Sequence, residues 1–330
     1  MPGVWRHVVL IPRTGSHIWK CIDSVHLPRL VAFCAVVLAV ACSGLPSHPE
    51  IDEKAEEFSA RRARAHYAAL LELGPRTAGT DAAARARVYV ERELRWAGAR
   101  VVEAAPSDGL AKKPVLAWLP GASEDRILVA APWAPARDGT GLDDAGVALL
   151  LELTRVLARQ KPPYTVGIAL AVVAPGAGVG PVDRQAIQRA GQELVEVVET
   201  EVAVEALRAV LVVEPRAGPA RVIARDLRSN PVIRNLFWRT AARLGHGDRF
   251  REDGEWATPG GIQEAFLDAG YGRVVSLVDE GAADPSEAQE EAAGRRGLPD
   301  PADFEPVGEV AYEGLLRLMG RFTRVDAFSG

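Results

Sequence analysis

Cysteine, histidine and clustered carboxylates carry most metal and nucleophile chemistry, and this 330-residue chain spaces them poorly for either. Cys21, Cys34 and Cys42 all lie at the front, so the sequence beyond offers no disulfide, thiol nucleophile or Cys-ligated metal. After Cys42 only His48, His66 and His246 remain, with no His-x-x-x-His pairing. The run Gly176-Ala177-Gly178-Val179-Gly180 stands between a predicted strand and a predicted helix, where a dinucleotide's phosphates could sit. The third glycine of the Gly-x-Gly-x-x-Gly pattern would fall on Pro181, so no nucleotide cofactor is expected. Neither a phosphate-binding Gly-x-x-x-x-Gly-Lys-Ser/Thr loop nor a Gly-x-Ser-x-Gly elbow is present. Ser276 falls inside a predicted strand and reads as packed.

The elements that must position any site alternate. Helical spacing covers Ala55 to Leu73, and Gly74-Pro75 stops it. Thr80 or Asp81 caps a second helix ending at Gly98, and Arg100 to Ala104 is short and β-rich. Val115 to Leu119 and Ile127 to Ala131 read as neighbouring strands. Asp143 or Asp144 would cap a helix over Ala145 to Arg159. Val166 to Val173 is a continuous apolar run, as in a strand covered on both faces. Helices are predicted over Val182–Thr200, Asn230–Leu244, Gln263–Ala269 and Phe304–Phe322, and strands over Ala209–Val213 and Val274–Val278. The acidic run Glu287 to Glu291 reads as solvated surface. This order implies an α/β fold, a three-layer α/β/α sandwich around a central, mostly parallel mixed sheet, in one domain over residues 55–330.

Hydrophobic content of 48% and charge of 25% suit an ordinary globular domain. A net charge of -5 gives no basic footprint, so nucleic acid is not an expected partner. Arg outnumbers Lys and Ala is abundant, as in a GC-rich bacterial genome. The front reads as an address. Leu30 to Cys42 is an uncharged apolar run of signal-peptide length, preceded by Arg29. Its end, Leu38-Ala39-Val40-Ala41-Cys42-Ser43, resembles the bacterial lipobox, which implies lipidation at Cys42 and a membrane anchor in the bacterial cell envelope. A cleaved secretory signal or a short N-terminal anchor is the alternative. Residues 1–42 are thus a leader, with a possible true start at Val25, and residues 43–54 a tether.

Two blocks carry a family resemblance. Residues 71–103, LELGPRTAGTDAAARARVYVERELRWAGARVVE, are similar to the opening helix, Gly-Pro-Arg-x-x-Gly-Thr loop and long helix of the zinc aminopeptidase and glutaminyl cyclase family. Arg76 and Gly79 match residues that shape that loop. Residues 127–153, ILVAAPWAPARDGTGLDDAGVALLLEL, resemble that family's metal-binding core. The resemblance implies a zinc-exopeptidase-like sheet with metal-bearing loops at the strands' carboxyl ends. Two zinc ions, or one in the cyclases, would sit there beside a Glu acting as general base.

The family's ligand positions are mostly emptied in this chain. Its strand-end His and Asp fall on Pro132 and Ala134, and its bridging Asp falls on Leu142, or on Asp143 after a one-residue shift, with Asp144 beside it. Its Gly-Glu-Glu falls within Ala174–Pro181, where neither acid exists. Glu214 stands where a ligating or catalytic Asp belongs, with Arg216 as the alternative partner. The Asp-His-x-x-Phe frame survives as Ile262-Gln263-Glu264-Ala265-Phe266 without its acid, and His-Thr-x-x-Asp becomes Arg296-Gly297-Leu298-Pro299-Asp300. Trp133 and Trp256, read as loop residues, could line the cleft. A catalytic zinc needs about three protein ligands; Asp143 and Glu214 are the most generous count, and oxygen alone suits Mg²⁺ or Ca²⁺ better. The sequence therefore implies a pseudoenzyme without a cofactor, binding peptide N-termini or an envelope protein. The rival is an active metallo-aminopeptidase or glutaminyl cyclotransferase that uses zinc, with Asp143, Asp144 and Glu214 as remnant catalytic or metal residues.

Overall fold

The computed structural model describes residues 45–48, 56–74, 76, 80–103, 113–133, 144–173, 184–215, 222–252, 261–279 and 298–329. Residues 1–44, with Cys42, and Ala134, Asp143, Arg216, Trp256 and Arg296 lie outside them. Helix α1 spans Ala60–Glu72. It starts later than its apolar spacing suggests because Ser59 caps it, its side chain accepting from the Arg62 amide. Helix α2 spans Asp81–Trp96, capped by Thr80. Leu45 packs against the core, the Pro46 carbonyl accepts from Arg92 at 2.6 Å, and the His48 ring meets Glu93 at 2.5 Å. Residues 45–48 therefore lie along α2.

Among the described residues the strands are β1 (Arg100–Val101), β2 (Val115–Leu119), β3 (Ser123–Trp133), β4 (Tyr164–Val172), β5 (Leu207–Glu214) and β6 (Val274–Val278). They form one sheet in the order β1-β2-β4-β3-β5-β6. The pairs β3–β4, β3–β5 and β5–β6 are parallel, while β2 runs antiparallel to β1 and β4. The expected β2–β3 adjacency is corrected: β4 lies between them. The connection reaches β3 by crossing the start of β4, and Gly121 makes the crossing possible. A Cβ there would stand 2.2 Å from the Tyr164 backbone, so only glycine fits. The Gly121 amide donates to Thr165 Oγ1 at 3.3 Å and the Ala122 amide to the Pro162 carbonyl at 3.1 Å, holding the crossing down.

Among the described residues the remaining α-helices are α3 (Asp144–Gln160), α4 (Arg184–Glu201), α5 (Pro231–Leu244), α6 (Ile262–Asp268) and α7 (Pro301–Ser329). Strand side chains alternate between faces. Ile127, Val129, Ile168, Leu170, Leu211 and Val213 join a core with α2, α3, α5 and α7. Leu128, Ala130, Ala169, Val210 and Val212 join another with α4 and α6. These are the three layers read from the alternation of elements. Asp300 opens α7: its carboxylate accepts from the Ala302 amide at 2.9 Å, and Asp303 accepts from the Asp300 amide at 3.0 Å. None of the helices formed by described residues is long and apolar enough to cross a membrane.

Candidate functional site

Because β3, β5 and β6 run in parallel, their carboxyl ends share one rim. Trp133 ends β3, Glu214 ends β5, and the Asp279 amide donates to the Glu214 carbonyl at 3.3 Å just past β6. Helix α3 begins on this rim. Gly146 in its first turn lets it settle there, since an added Cβ would lie 3.0 Å from Ala131 Cβ and 3.5 Å from the Val213 carbonyl. This close seating fixes Asp144, the first residue of α3, beneath the rim with no exposed surface.

Both Asp144 oxygens are engaged. Oδ1 accepts from Trp133 Nε1 at 3.2 Å, and Oδ2 accepts from Arg76 Nη2. Arg76 is itself buried and also donates Nη1 to the Leu70 carbonyl at the end of α1. An ion pair this dry is held by its hydrogen bonds, because neither charge keeps water. Two sequence expectations are corrected. Helix α3 starts at Asp144 rather than Ala145, and Asp144 joins three separate segments. Trp133 is a buried strand residue and not a loop residue.

Glu214 is nearly buried. Its Oε1 lies 3.8 Å, an ordinary contact distance, from where a Cβ on Gly261 would be at the start of α6; such a Cβ would collide with Ile187 Cγ2 at 2.6 Å instead. Asp279 is buried, with Arg249 Nη2 3.9 Å from its carboxylate. Beside them lies a buried polar network that the sequence reading missed. Asp226 Oδ2 accepts from Ser229 Oγ and from Gln263 Nε2, the latter at 2.7 Å. Ser229 Oγ accepts from Gln263 Nε2 at 3.1 Å and from the Ser276 amide at 3.0 Å. The local signal was the stretch Asp226 to Pro231, where the Asp226 side chain accepts from the Arg228 amide, as turn-forming acids do. Gln263, at the family's His position, thus ties α6 to the turn before α5. Ser276 is packed, as expected.

The described histidines, His48, His66 and His246, do not converge on the rim. His66 bonds Tyr89 at 2.8 Å, His48 bonds Glu93, and His246 bonds Glu309 at 2.8 Å. Burial, reinforced by the His48, Arg62, Arg155 and Arg92 charges, pushes His66 down to about 3. Asp300, aligned with the family's last acid, is spent on capping α7.

No protein-family model matches the chain, and no curated protein matches it. Solved structures do. A glutaminyl cyclase from Bacteroides thetaiotaomicron, bound to N-acetylhistamine, superposes with a TM-score of 0.66 at 17% identity, over 80% of this chain and 99% of the other. A leucine aminopeptidase precursor from the same species gives 0.65 at 17%, over 80% and 98%. The Porphyromonas gingivalis glutaminyl cyclase gives 0.61 at 20%, over 78% and 98%. The chain has the zinc-exopeptidase and glutaminyl cyclase fold.

In that fold a resident zinc would draw on this rim. Among the described residues no group of three or more His, Cys, Asp or Glu could hold a metal ion. The chemistry of the donors present also argues against one. Asp144, a carboxylate at this rim, is held by a guanidinium that would repel a cation and compete for the same oxygens. The described residues do not fit zinc.

Proposed function

We propose that this protein is a catalytically silent member of the zinc-exopeptidase fold, a binding domain tethered to the bacterial cell envelope. The observation that carries the reading is Arg76 on Asp144. A carboxylate at the old catalytic rim serves as an internal strut. The sequence supports it further: Pro132, near the end of β3, and Ala134 replace two ligands, the Ala174–Pro181 stretch contains no acid, and Arg296 replaces a His. A zinc-bound water and a Glu base are both lost, so hydrolysis and cyclisation lose Lewis acid and base together. Tethering rests on the lipobox-like run ending at Cys42. The retained role is recognition of peptide N-termini or of an envelope protein at the rim.

The experiment uses the purified full chain, supplemented with Zn²⁺ or Mg²⁺, and offers it aminoacyl anilides and peptides beginning with glutamine. No turnover above buffer is expected. Saturable binding of a peptide with a free N-terminus, lost when that terminus is acetylated, supports the binding role. Metal-dependent turnover that disappears in Asp143→Ala or Glu214→Gln would establish the active-enzyme alternative.

A further inference from the structure

Between α5 and α7 runs a groove of about 790 Å³, walled by Arg239 and Arg243 on one side and Arg317, Arg321 and Arg324 on the other. The two helices lie antiparallel, since His246 meets Glu309 at one end while the Phe237 ring abuts Gly314 further along. The spacing is i, i+4 on α5 and i, i+4, i+7 on α7, so each set projects from one helix face. Arginines so placed repel one another, at a cost to both helices. The helix macrodipole does not account for them, because its influence is confined to the last turn and only Arg243 lies there. Among the described residues, carboxylates near the set are few: Glu313 stands 3.8 Å from Arg317 Nε, and no ion pair involves Arg239, Arg243, Arg321 or Arg324. In a chain of net charge -5 this concentration of positive charge is a local exception.

The floor is apolar. Leu236 and Leu316 lie along it, and Val232 at its margin is half exposed. Gly320 sits mid-groove, where an added Cβ would meet nothing nearer than Arg324 Nη1 at 3.9 Å. A glycine inside a helix forfeits stability relative to alanine, and a longer side chain here would project into the open space of the groove. Guanidinium forks bind phosphate bidentately, and an apolar floor takes glycerol and acyl carbons. The volume is that of a single small-molecule site.

We propose that the α5–α7 groove binds an anionic phospholipid, its phosphate held by the arginine walls and its apolar part laid on Leu236, Leu316 and Gly320. Nucleic acid fits less well, because it needs a charged track rather than an apolar floor and the whole chain is acidic. The site is separate from the rim and does not depend on the reading given for it.

The test is flotation of the purified full chain with vesicles of phosphatidylcholine, alone or mixed with phosphatidylglycerol. The ratio of the two partition coefficients cancels any anchor. Wild type should favour the phosphatidylglycerol vesicles. Arg321→Gln with Arg324→Gln should reduce that preference roughly thirty-fold. Gly320→Leu, which removes no charge and improves helix propensity, should also reduce it with no loss of thermal stability. Equal partitioning in wild type, or an unchanged preference in both variants, overturns the proposal. So does full displacement by equimolar inorganic phosphate, tighter binding of a DNA oligonucleotide, or self-association that the double variant abolishes.

Discussion

Arg76 and Asp144, 68 residues apart in the chain, form a buried ion pair that joins the end of α1 to the first residue of α3. Through Trp133 Nε1 the same carboxylate is fixed to the end of β3. The pair therefore sits at the start of α3 on the carboxyl rim of the sheet, and it ties three segments together there.

Breaking the pair from one side should be costly. Asp144→Asn leaves a buried guanidinium without its countercharge, and about 3–5 kcal/mol of stability should be lost. Arg76→Met combined with Asp144→Leu removes both charges and should recover most of that loss. Urea denaturation of the three proteins measures it. A single variant as stable as wild type would show that the pair is not a strut.

Gly121 should tolerate no side chain. Gly121→Ala drives a Cβ into the Tyr164 backbone, which cannot move without unpairing β4, and should cost about 3 kcal/mol or more. Gly247→Ala, where nothing lies within 4 Å, should stay within about 0.5 kcal/mol of wild type. Thermal unfolding midpoints compare the two. Similar midpoints would contradict the crossing of β4 by the β2–β3 connection.

Much of the fold could be read in advance, and the failures have a physical pattern. Strands buried on both faces, such as Val166 to Val173, appear as apolar runs, and Thr80 appears as a cap before a helical face. Each is a local property. The order of strands is not: β2 and β3 are consecutive, and nothing in their own residues shows β4 between them except a glycine whose close approach is visible only in three dimensions. The site divided the same way. The loss of a ligand at Pro132 and of the acid at Ile262 is legible residue by residue, whereas Asp144 looked like a helix cap because Arg76 is far away in sequence. Trp133 looked like a loop residue because β3 runs two residues beyond its aliphatic stretch. The network of Asp226, Ser229, Gln263 and Ser276 brings three segments together and had only a turn signal to announce it.

His66 should make stability depend on pH. Its folded value near 3 lies below its usual 6.5, so the unfolded chain takes up the proton first. The contribution is complete above pH 6.5 and is lost as pH falls towards 3, by up to about 1.4 kcal/mol per pH unit. His66→Asn removes this titration while keeping an acceptor for Tyr89. The stability difference between wild type and His66→Asn should therefore shift against wild type between pH 6.5 and 4. Parallel curves would show that His66 is not held neutral.

The central claim is that the rim of this exopeptidase fold no longer grips zinc. Its most direct test is the zinc content of the purified full chain after loading with excess Zn²⁺ and exhaustive dialysis. The expected result is far less than one zinc per chain, with Asp144→Asn and Glu214→Gln no different from wild type. One or two zinc ions retained per chain, and released in the Glu214→Gln variant, would contradict it.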